Sequence, residues 1–350
     1  MSERGPLLGR GALGSLVLIA AVVGVAAAAF AYTAGWLSPG RISPEQFVAA
    51  LTPPSGEPLG HRRNHAKGIC FTGVLEANGA GSELSRATVF ARGQYPVVGR
   101  FNLASPDPNA ADATVRVRGL GIRIATPDGQ EWRSAMLGAP FFPAATPQRF
   151  YAMLMATHDP KAIPAFAASH PEFVAFVEWA KSAPWTSSYA EETFNSINSF
   201  AFVDAAGARR TVRWSLRPKA QPVYVSPDDL GKRGANYLEQ EIGERVRGGP
   251  QHWSLVVTVA NPGDPTADPS KAWPSERRAV EVGTLTVQAI EAEPDGPCRD
   301  INYDPTVLPP GIETSDDPFP AARSVVYSDS FNRRTAEAAS YPRSAPGAKR

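Results

Sequence analysis

Beginning at Gly68, apolar residues recur with a period of two in several separate stretches. Ile69-Cys70-Phe71-Thr72-Gly73-Val74 is apolar and β-prone, Thr114-Val115-Arg116-Val117-Arg118 alternates strictly, and Gly121-Ile122-Arg123-Ile124 alternates after a glycine break. Alternation of this kind sets arginines on one face of a strand and Val or Ile on the other. Asp128-Gly129 predicts a tight turn before Trp132. The period then lengthens. Thr146-Pro147 caps a helix with Phe150, Met153, Leu154 and Thr157 on one face, and His170-Pro171-Glu172 opens a second with Phe173, Phe176, Val177 and Ala180, ending before Pro184. Both stripes read as core. Strands return at Ser199–Val203 and Thr211–Leu216 around a turn at Asp204–Ala208, and again at Trp253–Val259 and Val280–Ile290. Between these pairs, Ser226-Pro227-Asp228-Asp229 signals the start of a helix containing Tyr237, Leu238, Ile242 and Val246. Short connections make the sheet mainly antiparallel. The expected class is α+β, with an antiparallel β-barrel as the natural way to remove sheet edges and with helical insertions.

The N-terminal pattern differs. Between Gly11 and Gly40 there is no charged residue, Leu16–Tyr32 is almost wholly Ala, Val, Leu, Ile and Gly, and Arg4 and Arg10 precede it. Residues 1–37 therefore read as a signal sequence or a membrane anchor, close to the roughly 20 residues that span a bilayer. Basic residues ahead of the span place the body outside, which for a bacterial-type protein is the periplasm. Residues 38–57 read as a linker with one short amphipathic helix at Ser43-Pro44-Glu45-Gln46, whose apolar side is Phe47, Val48 and Leu51. Residues 58–338 form the expected main domain, and the Pro-, Ser- and Gly-rich residues 339–350 a disordered tail.

Composition changes this picture little. The chain has 350 residues, enough for one large core, and a net charge of +1 gives no electrostatic case for nucleic acid. Thirty-four prolines favour long ordered loops over a helical bundle. Cys70 and Cys298 read as two small buried residues or, in an exported protein, as one disulfide.

Candidate chemistry concentrates in two places. Arg62-Arg63-Asn64-His65-Ala66-Lys67-Gly68 gathers cations, a histidine and a glycine, and histidine titrates close enough to neutrality to move a proton. Far downstream, Arg323-Ser324-Val325-Val326-Tyr327 sets an arginine and a tyrosine four residues apart, on one face if helical. A guanidinium beside a phenol favours the phenolate.

These stretches resemble the haem catalases. His65-Ala66-Lys67-Gly68 is similar to the segment that carries their acid–base histidine. The run Tyr303-Asp304-Pro305, Pro310-Gly311-Ile312-Glu313, Asp317, Arg323 and Tyr327 is similar, in order and spacing, to the segment that ends in their iron ligand. Gly99-Arg100-Phe101-Asn102 and Arg118-Gly119-Leu120-Gly121-Ile122-Arg123 resemble two further catalase strands. The resemblance covers roughly residues 58–335 and points to the compact catalase-related peroxidases. It implies the haem-dependent catalase fold, haem b as cofactor, Tyr327 as axial ligand of the iron and His65 as the catalytic proton shuttle. It also implies Arg62, Arg100 and Arg334 as contacts of the haem propionates, Arg323 beside Tyr327, and Phe142 and Phe150 as aromatics near the haem.

Two departures bear on activity. Asn102 stands where catalases have a serine bonded to the histidine, and Gly138-Ala139-Pro140-Phe141-Phe142 lacks the catalase asparagine. The expectation is a haem peroxidase that reduces hydrogen peroxide or organic peroxides with an unidentified organic or protein donor and shows weak catalase activity. Other readings are a non-enzymatic haem carrier or sensor of the same fold, an enzyme that rearranges lipid hydroperoxides, and an unrelated barrel without haem. Lack of a long C-terminal domain suggests a monomer or small homo-oligomer.

Overall fold

Strand alternation buries one face of each strand inside a closed barrel. The computed structural model describes residues 10–33 and 42–344. The chain divides into two units, the first ending at Ser43 and the second beginning at Pro44. In the first unit, α1 (Arg10–Thr33) contains the stretch Leu13–Thr33, whose 21 residues at hydropathy 2.5 are long and apolar enough to cross a membrane or to act as an export signal.

The second unit carries everything else. In chain order it runs α2 (Pro44–Ala50), β1 (Gly68–Ala77), β2 (Gly93–Leu103), β3 (Arg118–Ala125), β4 (Glu131–Leu137), α3 (Pro147–Thr157), α4 (Ile163–Ser169) and α5 (Pro171–Ser182). There follow β5 (Trp185–Thr186), β6 (Phe194–Asn195), β7 (Phe200–Val203), β8 (Arg209–Pro218), β9 (Tyr224–Val225), α6 (Pro227–Gly231) and α7 (Tyr237–Gly248). The last elements are β10 (Gln251–Val259), β11 (Ala279–Ala292), β12 (Ile312–Thr314) and α8 (Phe319–Ala336). Among the described residues, β1, β2, β3, β4, β6, β8, β10 and β11 pair in that order, all antiparallel, and β11 returns to β1. Closure leaves the main sheet no exposed edge along this ring.

The barrel interior is aromatic. Phe101 lies 4.7 Å from Phe71, 5.0 Å from Tyr189 and 5.8 Å from Trp253 between ring centroids, and Trp132 meets Trp214 edge-on at 5.0 Å. Gly99 makes room for this packing, since a Cβ there would fall 2.0 Å from the Phe71 ring. Each buried aromatic removes about 150–250 Å² from water, so truncating one such ring to alanine costs about 3–5 kcal/mol.

Four expectations change. Thr114–Val117 is not a strand: residues Asp112–Thr114 form a 3-10 turn, because Asp112 is buried where it accepts from Lys67 Nζ at 2.6 Å and from the Leu238 amide at 2.8 Å. Pairing begins only at Arg118, whose buried guanidinium donates to the Thr186 carbonyl and hydroxyl. The helix opened by Ser226 breaks into α6 and α7, with Gly231 and Gly234 at the break. The stripes on α3 and α5 are not core. Only Pro147 and Ala156 of α3 and Glu172 of α5 are buried, because the barrel fills its own interior and these helices pack with one another and with α2 on its outside. Residues 44–57, read as linker, belong to the main unit: Phe47, Val48, Ala50 and Leu51 are buried.

At the far end, residues 338–344 are placed against the body, where the Tyr341 ring lies 3.9 Å from that of His61. Residues 345–350 of the expected tail lie outside the described residues. Cys70 and Cys298 form a disulfide across 228 residues, with Cα atoms 5.3 Å apart.

Candidate active site

A cavity lies between the outer wall of the barrel, α2, α3 and α8. His65, Arg62, Arg100, Phe142, Phe150, Arg323, Tyr327 and Arg334 all line it. The two motifs read from the sequence thus meet in one place.

His65 sits on the loop entering β1. Three carboxylates pin the cations of that loop. Arg62 pairs with Glu293, Arg63 with Glu337 at 2.5 Å and Lys67 with Asp112 at 2.6 Å. Arg100 of β2 adds two bonds from below, Nη1 to the His65 carbonyl at 2.8 Å and Nη2 to the Ala66 carbonyl at 3.0 Å. His65 itself has φ +55°, and with Ile197 it is one of two non-glycine residues of positive φ among the described residues. Both line the cavity, and strain of this kind persists only where surrounding contacts enforce it.

The sequence departure at Asn102 does not cost the histidine a partner. Asn102 Oδ1 lies 2.6 Å from His65 Nδ1, while its amide nitrogen donates to the Arg100 carbonyl at 3.3 Å and so fixes the orientation of the amide. An oxygen facing Nδ1 requires the proton to be on Nδ1, which leaves the Nε2 lone pair free. Gly119 provides the space, since a Cβ there would stand 2.2 Å from Asn102 Oδ1. Burial pushes the His65 pKa down to about 4; the Asn102 bond opposes this, and Arg100, Arg323 and Arg62 reinforce it. The imidazole is therefore neutral at ordinary pH and able to accept a proton. Ala139 matches the second departure: it is buried and is not part of the cavity lining.

Helix α8 supplies the opposite constellation. Arg323 Nη2 donates to the Tyr327 hydroxyl oxygen at 2.9 Å, as the four-residue spacing predicts. Sequence reading missed what lies behind it. Arg323 Nη1 donates to Asn198 Oδ1 at 2.6 Å, and Asn198 Nδ2 donates to Asp317 Oδ2 at 3.0 Å. The same Asp317 accepts from the Phe319 amide at 2.8 Å, capping α8. A buried chain Asp317–Asn198–Arg323–Tyr327 thus fixes the guanidinium on the phenol. Asp317 stands in the motif quoted from the sequence, without a role assigned to it, but Asn198 has no local signal.

The three other arginines cluster at the cavity edge. Arg100 Nε and Nη2 grip the two oxygens of Glu293 at 2.7 Å each, and Arg62 shares that carboxylate. Arg62 also donates to the carbonyls of Cys298 and Ile301, and Arg334 to those of Arg299 and Ile301. Three guanidinium cations thus face one buried carboxylate, Glu293, an excess of positive charge at the cavity edge. Burial, then the charge of Arg62, press Arg334 down to about 9, as expected of a cationic cluster short of anions.

A profile of the catalase family, described as Catalase, matches residues 29–343. The chain belongs to the catalase family. Within it, this family member is 36% identical over 332 residues to a catalase-related peroxidase of Synechococcus elongatus, covering 93% of this chain and 95% of that one. It is 30% identical over 301 residues to a catalase-related peroxidase of Mycolicibacterium paratuberculosis, covering 85% of this chain and 96% of that one. A crystal structure of a fungal catalase superposes with a TM-score of 0.70 at 19% identity, covering 79% of this chain and 60% of the fungal one, which shows the shared fold.

Catalase-family proteins bind haem, and the residues present fit it. The group needs an axial donor, cations for two carboxylates and apolar walls. This catalase-family cavity offers the Tyr327 phenol, an arginine cluster with positive charge in excess, and the apolar side chains of Leu120, Phe142, Phe150, Val326 and Phe331.

Proposed function

We propose that the chain is a haem-dependent peroxidase of the catalase family. It reduces hydrogen peroxide or organic peroxides with an organic or protein electron donor and has weak catalase activity. The observation that carries this reading is that His65 and the Arg323–Tyr327 pair line one cavity. Haem b, when bound, supplies the iron at which the peroxide O–O bond breaks. Tyr327 would be the iron ligand, and Arg323, held in place by Asn198 and Asp317, donates to its hydroxyl oxygen. Arg62, Arg100 and Arg334 would hold the propionates, and Phe142 and Phe150 would contribute apolar wall to the haem site.

On the other side, neutral His65 accepts the peroxide proton at Nε2 and returns it to the departing oxygen. Asn102 keeps Nδ1 protonated and the ring in one orientation throughout. Ala139 brings no amide to the cavity to orient a second peroxide, which favours an organic donor as the reductant. The reading also places the body in the periplasm, with α1 as signal or inner-membrane anchor, and gives a monomer or small homo-oligomer.

Stopped-flow spectroscopy of the haem-loaded protein tests this function. A phenolic donor should be consumed in step with peroxide. Oxygen release at rates typical of catalases overturns the peroxidase assignment, and a fatty-acid hydroperoxide turned over without any donor points to rearrangement.

A further inference from the structure

Glu293 follows directly on β11, is 5% exposed and does not line the cavity. It stands behind two residues that do. Its carboxylate binds the Arg100 guanidinium side-on, at 2.7 Å through each oxygen, and Oε1 also takes Arg62 Nη1. Bidentate pairing of this kind fixes orientation as well as distance. Burial disfavours the Glu293 charge, but Arg100 and then Arg62 overcome it and hold the carboxyl below its ordinary value.

The remaining donors of Arg100 go to backbone, to the successive carbonyls of His65 and Ala66. A line of contacts therefore runs from a buried anion through one guanidinium to the strained turn that presents the imidazole. Gly68 closes the arrangement: a Cβ there would sit 2.6 Å from Arg100 Cζ, so the loop lies directly on the guanidinium.

We propose that Glu293 is a positioning residue for His65. It locks Arg62 and Arg100 to each other, and through Arg100 it holds the His65 backbone in the left-handed conformation that turns the ring into the cavity. It also sets the charge of the arginine cluster, leaving an excess of positive charge that suits a dicarboxylate cofactor. The proposal rests on the reading of His65 as proton acceptor beside a haem, and the two parts can be tested separately.

The test compares the full chain with Glu293→Gln, which removes the charge at constant shape, and Glu293→Asp, which keeps the charge and shortens its reach. The first measurement is amide hydrogen exchange of the cofactor-free proteins. Glu293→Gln should speed exchange in residues 61–68 by roughly tenfold or more while β10 keeps its protection, and Glu293→Asp should fall between Gln and wild type. Unchanged exchange at 61–68, or an equal rise across the barrel, overturns the positioning role, and Glu293→Asp decides alone if the Gln protein does not fold. The second measurement is cyanide binding to the hemin-loaded proteins, since hydrogen cyanide must give up its proton as it binds. Its rate should drop by about 10–100-fold in Glu293→Gln with the Soret band retained; a rate equal to wild type overturns the proposal. A wild type that shows no Soret band defeats the haem reading alone, and the exchange data then decide the role of Glu293.

Discussion

His65 Nδ1 is held at 2.6 Å by the side-chain oxygen of Asn102. The amide therefore fills the role that a serine hydroxyl fills in catalases, and it fixes the tautomer because an amide oxygen can only accept. Asn102→Ala should lower peroxide turnover by about 10–100-fold without altering the haem spectrum. Asn102→Ser should retain more of it. Full turnover in the alanine variant would show that the ring is oriented by other contacts.

The depressed His65 pKa has a consequence for acid stability. Folded, the ring titrates at about 4; unfolded, near 6.5. Between these values the unfolded chain binds the extra proton, so stability rises with pH across this window. The contribution is complete above about 6.5 and is lost as pH falls towards 4. Thermal unfolding of the cofactor-free protein should show a smaller loss across that window in His65→Gln than in wild type. Parallel curves for the two proteins would contradict a buried neutral imidazole.

On α8, Tyr327→Phe removes the proposed ligand and should abolish the absorbance of tyrosinate-ligated haem. Asn198→Ala acts one step back. It leaves Arg323 Nη1 and Asp317 Oδ2 without their shared partner, so the guanidinium on the Tyr327 oxygen is less firmly held. The expected result is retained haem with a shifted Soret spectrum and a reduction potential changed in the same direction as in Arg323→Gln. A spectrum identical to wild type excludes the relay.

The Cys70–Cys298 disulfide ties the start of β1 to the loop whose carbonyls receive Arg62 and Arg334. The paired change Cys70→Ser and Cys298→Ser should cost about 2–5 kcal/mol in chemical denaturation. It should also speed loss of haem to an acceptor protein. Loss of stability with haem retention unchanged would separate the loop from the cofactor.

The ring of period-two strands and both ends of the site were legible in the chain, because each depends on near neighbours. Alternation sets the faces of β1 and β3, the loop entering β1 carries His65, and one helical turn brings Arg323 to Tyr327. What escaped is non-local. Asn198 reaches Asp317 across 119 residues and Glu293 reaches Arg62 across 231, and no spacing rule links such partners. The errors have the same origin. Val115 and Val117 alternate like a strand, yet the buried Asp112–Lys67 pair draws the chain into a turn just before them. Phe150 lies on a helical stripe that reads as core, yet it faces the cavity because the barrel is already full. A departure in motif was also misleading at Asn102, where a different side chain supplies the same bond.

The three ion pairs of the segment 62–67 also govern when this site can exist. Their carboxylates, Asp112, Glu293 and Glu337, are spread over nearly the whole body. A chain made from its N-terminus therefore has the histidine early and its last tether only once residue 337 has emerged. Contacts so distant in sequence form late and slowly. Until then the segment carries unpaired cations and a backbone turn with nothing to enforce it. The His65 loop is thus a marker of complete folding: a partly folded chain has a histidine at position 65, but not one held against the cavity.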